Sequence, residues 1–259
     1  MPRPRVYKTQ AIVLRQRKLG EADKIVTLYT SRYGKLDAVA KGVRRTKSRL
    51  AGHLELLTLG SYLIAEGREL DIVTQAETVD AFPALREELE RLSRGIYCAE
   101  LVDRLTPERS EGGMVFRHLQ EALELLNSEA SIDLVVRRFE MHLLDELGYR
   151  PVLESCAVCG QRLEPVTNYW SPAAGGVVCP RCSDEALAMA PLSVNGIKLL
   201  RLLQRSPFAE VARIRLSGEL ALEIENALAQ QVHFVLDRDV RSARFVETLR
   251  RTQVVSPTD

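Results

Sequence analysis

Five apolar, β-branched stretches decide the fold: VYKTQAIVLRQ (6–16), KIVTLYT (24–30), LDAVAKG (36–42), HLELLTLGSYLIAEG (53–67) and LDIVTQAETVDAF (70–82). Each is short enough to be one strand, and turn signals at Gly20, Gly34, Gly42 and Gly67 separate them, with little helical periodicity between. Five strands in this order suggest a small closed or nearly closed β unit, and a barrel of the OB type fits. On strand count alone an SH3-like barrel fits almost as well. The alternation is too irregular to assign inward and outward faces.

Beyond the barrel the period changes. In ALREELERLSRGIYCAELVDRLTPE (84–108), Leu85, Leu89, Leu92, Ile96, Ala99 and Val102 recur at three- and four-residue steps, which predicts an amphipathic helix opened by Pro83. A second helix is expected over about Gly113 to Leu126. A third starts at Ser131, a suitable N-cap with Asp133 in the first turn, and runs through Val135, Val136, Phe139, Leu143 and Leu147 to a stop at Gly148. Helical periodicity resumes at Ser193 (Ile197, Leu200, Leu203) and at Ser217 (Leu220, Ile224, Leu228, Val232), and VRSARFVETLRR (240–251) reads as a short closing helix. The expected scheme is α+β and multidomain: barrel 1–80, helical domain 81–150, a four-cysteine insertion 151–190, and the second helical part 191–259. The helices on both sides of the insertion are expected to pack as one bundle.

The insertion carries the strongest local signal. Cys156, Cys159, Cys179 and Cys182 are spaced C-x2-C, 19 residues, C-x2-C. Each pair can aim two sulfurs at one ion from a tight turn, and two pairs complete the tetrahedral shell that zinc prefers. The intervening QRLEPVTNYWSPAAGGVV (161–178) has the Gly-Gly turn of a zinc-ribbon hairpin. Four protein ligands leave no position for water, so a single Zn2+ here is structural; an iron–sulfur cluster or two disulfides are the alternatives. Cys98, within an amphipathic helix, reads as a small buried hydrophobe.

Charge locates a surface. The 259 residues hold 36 Lys+Arg and 35 Asp+Glu, for a net charge of +1. Residues 1–50, however, hold 14 Lys+Arg against 3 Asp+Glu, a surplus of 11, while the rest holds 22 against 32. Arg15, Arg17, Lys18, Lys24, Arg32, Lys35, Lys41, Arg44, Arg45, Lys47 and Arg49 are opposed only by Glu21, Asp23 and Asp37. A basic head of this kind points to a polyanion. Tyr7, Tyr29, Tyr33, Tyr62 and Phe82 either stack on bases or sit in the core; with so few rings, phosphate contacts should dominate and sequence preference should be weak.

Other classes have little support. Gly34-Lys35 is followed by Leu36 and does not make a phosphate loop, and neither H-E-x-x-H nor G-x-S-x-G occurs. His53, His118, His142 and His233 are scattered and read as satisfied structural residues. No run approaches the roughly 18 apolar residues of a membrane span, and the start MPRPRVYKTQ has no apolar stretch behind its basic residues. A cytoplasmic protein without membrane association and without enzymatic activity is expected.

The order of parts, a basic five-stranded head, helices, a four-cysteine ribbon and further helices, resembles the RecO family of bacterial recombination mediators. AIVLRQRKLGEADKIVTLYTSRYGKLDAVAKGVRRTKSRL (11–50) is similar to that family's opening, with Gly20-Glu21-Ala22-Asp23 before the second strand and Lys41-Gly42-Val43-Arg44-Arg45…Ser48-Arg49 after the third. FEMHLLDELGYRPVLESCAVCG (139–160) resembles its approach to the first knuckle, and LSGELALEIENALAQQVHFVLDRDVRSARFVETL (216–249) its closing helices. The resemblance covers essentially the full chain.

It implies a nucleoid-associated protein that binds single-stranded and duplex DNA and anneals complementary strands. With RecR, and in some lineages RecF, such proteins place RecA on DNA coated by single-stranded-DNA-binding protein, whose acidic, hydrophobic C-terminal tail they contact. Some members lack the four cysteines; this sequence keeps them. For the tail, an arginine-edged apolar pocket near Arg137 and Arg138, or near Arg201 and Arg205, is the expectation. A zinc-ribbon OB protein acting on RNA and a nucleic-acid-modifying enzyme are the alternatives.

Overall fold

The computed structural model describes residues 6–128, 130–183, 189–214, 216 and 218–253, with backbone alone over 238–253. The chain divides into two compact units, Met1–Glu146 and Leu147–Asp259.

The first unit opens with the barrel expected from the sequence. Strands β1 (Val6–Leu19), β2 (Asp23–Thr30), β3 (Gly34–Ala40), β4 (Leu59–Ala65) and β5 (Asp71–Asp80) close in the order β1-β2-β3-β5-β4, with β4 returning to pair β1. All pairings are antiparallel except β3 with β5, a seam of only two residue pairs, Ala38 with Asp71 and Val39 with Ile72. This is the OB arrangement. Tyr7, Ala11 and Val13 of β1, Val26 and Leu28 of β2 and Ile64 of β4 fill the interior, and Leu54 of a 3-10 turn (Ala51–Leu54) packs into the same core.

The irregular alternation has two physical sources. A bulge between Val13 and Arg15 shifts the phase of β1, so Val13 faces inward and Arg15 outward. The outer face of β1 and β2 is also covered: Ile12, Leu14, Thr27 and Tyr29 are buried although they point away from the barrel core. Helices α2 (Leu89–Leu105) and α3 (Gly113–Leu126) supply that cover. The approach is close enough to require glycine at two points. A Cβ on Gly112 would collide with the Tyr29 hydroxyl, and one on Gly34, whose φ is +61°, with the Ser110 carbonyl oxygen.

The seam is reinforced by Asp71, which is buried. Its Oδ2 accepts from the Tyr7 hydroxyl at 2.8 Å, and its Oδ1 from Arg109 Nη2 and the Gly67 amide, both at 3.4 Å. The segment that carries Arg109 runs beside β3, where the Arg109 amide donates to the Lys35 carbonyl at 2.7 Å.

The long helix expected from Pro83 is two helices, α1 (Pro83–Glu87) and α2, broken at Glu88 with φ −107° and ψ 117°. Each half is anchored separately near the end of α3: the Leu85 amide donates to Asn127 Oδ1, and Arg91 Nη1 to the Leu126 and Ala130 carbonyls. The buried face of α2 also differs from the expected stripe. Gly95, Cys98, Leu101 and Leu105 join Ala99 and Val102 inside, whereas Leu89 is 82% and Ile96 38% exposed. Helix α4 (Ile132–Glu146) follows the expected third helix, with the Val135 amide bonded to the Ser131 carbonyl and Gly148 at φ +80° beyond its end.

In the second unit, β6 (Asn168–Ser171), β7 (Gly176–Val178) and β8 (Ala190–Leu192) form a sheet in the order β7-β6-β8, with Trp170 buried. The hairpin was expected; β8, three residues long, was not. Helix α5 (Val194–Arg205) starts at the expected Ser193, whose Oγ accepts from the Gly196 amide at 2.9 Å. A one-turn α6 (Phe208–Val211) precedes α7 (Gly218–Gln253). The 36 residues of α7 absorb the separate closing helix expected at 240–251. Among the described residues, no helix is long and apolar enough to cross a membrane.

Two expectations for stability follow. Asp71→Ala removes the buried carboxylate that accepts from the Tyr7 hydroxyl, the Gly67 amide and Arg109, and should cost about 3 kcal/mol in urea unfolding followed by circular dichroism. His142 of α4 stacks on His118 of α3, with ring centroids 4.8 Å apart. Burial above all, then Arg138 and His118, lowers its pKa to about 4, against opposing pulls from Glu121 and Asp145. A histidine depressed in the folded state contributes fully above about pH 6.5 and loses that contribution as the pH falls toward 4. Wild type should therefore lose stability between these values more steeply than His142→Gln, as read by urea titrations at pH 7, 5 and 4.

Candidate nucleic-acid interface and metal centre

Strand directions sort the basic residues expected to bind nucleic acid. The end of β1, the start of β2 and the end of β3 lie together, since Lys18 pairs with Lys24 and Lys24 with Ala40. The loop after β3 folds onto the β1–β2 turn: the Gly42 amide donates to Asp23 Oδ1 at 2.7 Å, the Arg44 amide to the Ala22 carbonyl at 2.9 Å, and Arg44 Nη1 to the Gly20 carbonyl at 3.1 Å. One end of the barrel thus gathers Lys18, Lys24, Lys41, Arg44, Arg45, Lys47 and Arg49. Lys18, Lys41, Arg45, Lys47 and Arg49 are exposed there, and no ion pair engages them among the described residues.

The other expected residues lie elsewhere or are engaged. Arg32 is exposed in the β2–β3 turn, at the opposite end of an eight-residue strand, about 23 Å away. Arg15 Nε lies 3.4 Å and Lys35 Nζ 3.5 Å from the Asp103 carboxylate of α2, and Lys35 also donates to the Asp103 carbonyl. Arg17 pairs with Asp37, which also accepts from Thr27 at 2.5 Å. Lys24 donates to Gln16 Oε1 at 2.6 Å. Three of the eleven cations therefore neutralise carboxylates on the helix-covered face.

The rings are mostly core. Tyr7, Tyr29, Tyr62 and Phe82 are buried, Tyr62 donating to the His53 carbonyl at 2.9 Å. Tyr33 is half-buried and packs edge-on to Tyr7, with centroids 4.6 Å apart. What the barrel end offers a ligand is positive charge on a rigid support.

The four cysteines converge as the spacing predicts. Their sulfurs lie within 4.8 Å of one another, Cys159 and Cys179 at 3.9 Å. A tetrahedral ion with metal–sulfur bonds of about 2.3 Å sets the sulfurs about 3.8 Å apart, so the set fits a metal ion. Each knuckle is a tight turn: the Gly160 amide donates to the Cys156 carbonyl at 2.9 Å with Gly160 at φ +73°, and the Cys182 amide to the Cys179 carbonyl at 3.0 Å. At the approach to the first knuckle the Val152 carbonyl accepts from the Val177 amide and the Val152 amide donates to the Gly175 carbonyl, both at 2.9 Å, and Gly176 sits against the Val152 backbone where a Cβ would not fit. Burial would raise the Cys156 thiol, but amide donors at Cys159, Cys179 and Val158 outweigh it and bring it down to about 6, favouring the thiolate that a metal needs.

With barrel, helices and four-sulfur cluster placed, comparison with known proteins is decisive. The model described as "Recombination protein O N terminal" matches residues 4–82, and "Recombination protein O C terminal" matches residues 86–244. The chain belongs to the recombination protein O family. A protein of Roseiflexus sp. (strain RS-1) named "DNA repair protein RecO" is 44% identical over 96% of this chain and 88% of its own length. Relatives of the same name from Dehalococcoides mccartyi (strain CBDB1) and Pelotomaculum thermopropionicum are 36% and 39% identical, over 96% and 94% of this chain and 98% and 94% of their own lengths. Membership assigns the chain to DNA repair and recombination, and the resemblance read from the sequence stands.

Sequence reasoning missed Asp103, which engages two of the expected DNA contacts, and Arg86, whose Nη2 donates to the Leu56 carbonyl at 2.6 Å and ties α1 to the loop before β4. Nothing local marks these roles, because Lys35 lies 68 positions from Asp103, and Leu56 and Thr58 lie 30 and 28 positions from Arg86. Replacing Cys156 by Ser should abolish tight metal binding, read as lost metal content and as loss of the thiolate charge-transfer bands of a cobalt-loaded sample. The barrel's unfolding transition should be retained.

Proposed function

We propose that the protein is a recombination mediator without enzymatic activity, which binds single-stranded and duplex DNA and anneals complementary strands. In this reading it assists RecA loading together with RecR, and with RecF where that protein is present. The observation that carries it is the single cationic barrel end, where Lys18, Lys41, Arg45, Lys47 and Arg49 are free of carboxylate partners among the described residues. Annealing requires two phosphate backbones to approach, and a concentrated positive surface lowers their repulsion without reading bases. The acidic surplus lies in residues 51–146, which hold 20 Asp+Glu against 9 Lys+Arg, and it disfavours DNA on the helices of the first unit.

For the cysteine set we propose one structural Zn2+, because four thiolates in two tight turns are the donor set zinc takes without an open position. The C-terminal tail of single-stranded-DNA-binding protein is assigned to the Arg201 helix rather than to Arg137 and Arg138. Arg137, 3.0 Å from Glu140, is buried and Arg138, 2.8 Å from Glu121, is largely so, whereas Arg201 and Arg205, which pair with Glu154 at 3.3 and 3.0 Å, keep partly exposed side chains. A cavity of about 500 Å3 has an apolar floor that includes Leu163, Val194 and Ile197 and a rim on which Arg162, Lys198 and Arg201 outnumber Glu154 and Glu164, which suits such a tail. The division at residues 80, 150 and 190 is kept as a proposal for functional parts, with the protein in the cytoplasm near the nucleoid.

With about five phosphates neutralised, the logarithm of single-strand affinity should fall with the logarithm of salt at a slope of about −3.5, so a fourfold rise weakens binding about a hundredfold. Changing Arg45, Lys47 and Arg49 together to Glu should reduce DNA affinity at least tenfold, reduce the slope and abolish annealing, with the fold unchanged by circular dichroism. Arg44 is left in place because it holds the loop. Binding indifferent to salt, or unaltered in the triple variant, would remove the interface from this end.

A further inference from the structure

Beside the cationic end lies a cavity of about 510 Å3, between β1, the segment before β4 and α2, and no part of the function above uses it. Its walls include Leu14, Leu56 and Ile96, and Ile96 is the residue expected in the α2 core stripe but left 38% exposed. An apolar side chain exposed inside a concave site of this size is typical of small-molecule pockets. The polar rim is almost entirely engaged. Arg15 faces Asp103 at 3.4 Å, Arg104 faces Glu100 at 2.5 Å, and Gln16 bonds both the Leu54 carbonyl and Lys24. Glu55 is the exception: its carboxylate has no partner among the described residues.

We propose that this pocket takes one unstacked base of a DNA strand held by the cationic end, and that Glu55 selects guanine. This rests on the DNA-binding reading above. The pocket is continuous with that end, since Arg15 and Gln16 lie only three and two residues before Lys18 on β1, about 10 Å and 7 Å along the strand, and Lys24 touches Gln16 directly. An amphipathic, planar occupant suits an apolar wall with a polar rim. The two oxygens of a carboxylate only accept, and guanine alone presents two adjacent donors, N1–H and the 2-amino group, to match them. Adenine and cytosine set a ring-nitrogen acceptor next to their amino group, and thymine flanks its N3–H with carbonyl oxygens, so each directs a lone pair at the carboxylate.

The test is fluorescence anisotropy at fixed salt with an oligothymidylate, the same oligomer carrying one internal guanine, and a third carrying inosine there, which lacks the 2-amino group. Wild type should bind the guanine oligomer about tenfold more tightly than the all-thymine one, with most of the gain lost for inosine and the salt slope unchanged because no phosphate contact is added. Glu55→Gln, which presents a donor to a donor, and Ile96→Trp, which fills the cavity from an exposed helix position, should each erase the preference without altering all-thymine affinity. Equal affinity of wild type for the three oligomers, or a preference that survives both variants, overturns the proposal. Absence of salt-dependent binding to any oligomer overturns the DNA-binding reading itself, and the pocket's assignment with it.

Discussion

The barrel is closed at its weakest point by a buried carboxylate. β3 and β5 meet through two parallel residue pairs only, and Asp71 stands at the first of them with donors from three directions: the Tyr7 hydroxyl of β1, the Gly67 amide of the β4–β5 turn and the Arg109 guanidinium from between α2 and α3. A buried carboxylate is tolerable only when such donors surround it. Because one of them comes from the helical segment, the carboxylate at the barrel seam also ties that segment to the barrel. The cationic end depends on that closure, since its loops spring from β1, β2 and β3 and are held in place by the pairing of those strands.

The charge surplus of the first 50 residues is therefore divided between two tasks. Arg15 and Lys35 hold Asp103 of α2, and Arg17 holds Asp37, on the face that the helices cover. The loop that follows β3 keeps its cations outward because its backbone, together with Arg44, satisfies the β1–β2 turn. Charge on a folded surface matters where it is unopposed, and only the second group meets that condition.

What was legible in the sequence was local. Strands bounded by glycine turns, the α3 and α4 periodicities, the Ser193 cap and the two C-x2-C turns are each encoded within a dozen residues, and each is present. The bulge between Val13 and Arg15 is not written in any propensity, and helix cover buries Ile12 and Leu14 on the outer face as well, so β1 carries no clean alternation to read. The break at Glu88 arises from anchors on Asn127, Leu126 and Ala130, about 40 residues away, and shifts Leu89 and Ile96 out of the stripe to which periodicity assigned them. Three-residue β8 is too short to carry a pattern, and the fusion of two expected helices into α7 reflects the lack of any glycine or proline between Glu219 and Gln253.

The glycine contacts bear on how such a protein can be inherited. Family models split the chain between residues 82 and 86, as though head and helices were exchangeable modules. The Gly112–Tyr29 and Gly34–Ser110 approaches permit no added methyl group, and both cross that split. A gene fragment ending after β5 would leave Ile12, Leu14 and Tyr29 bare, and a head grafted onto another relative's helices would need those matched surfaces to have changed in step. A joint placed after Glu146 would leave both approaches intact, whereas one placed between residues 82 and 86 would break them.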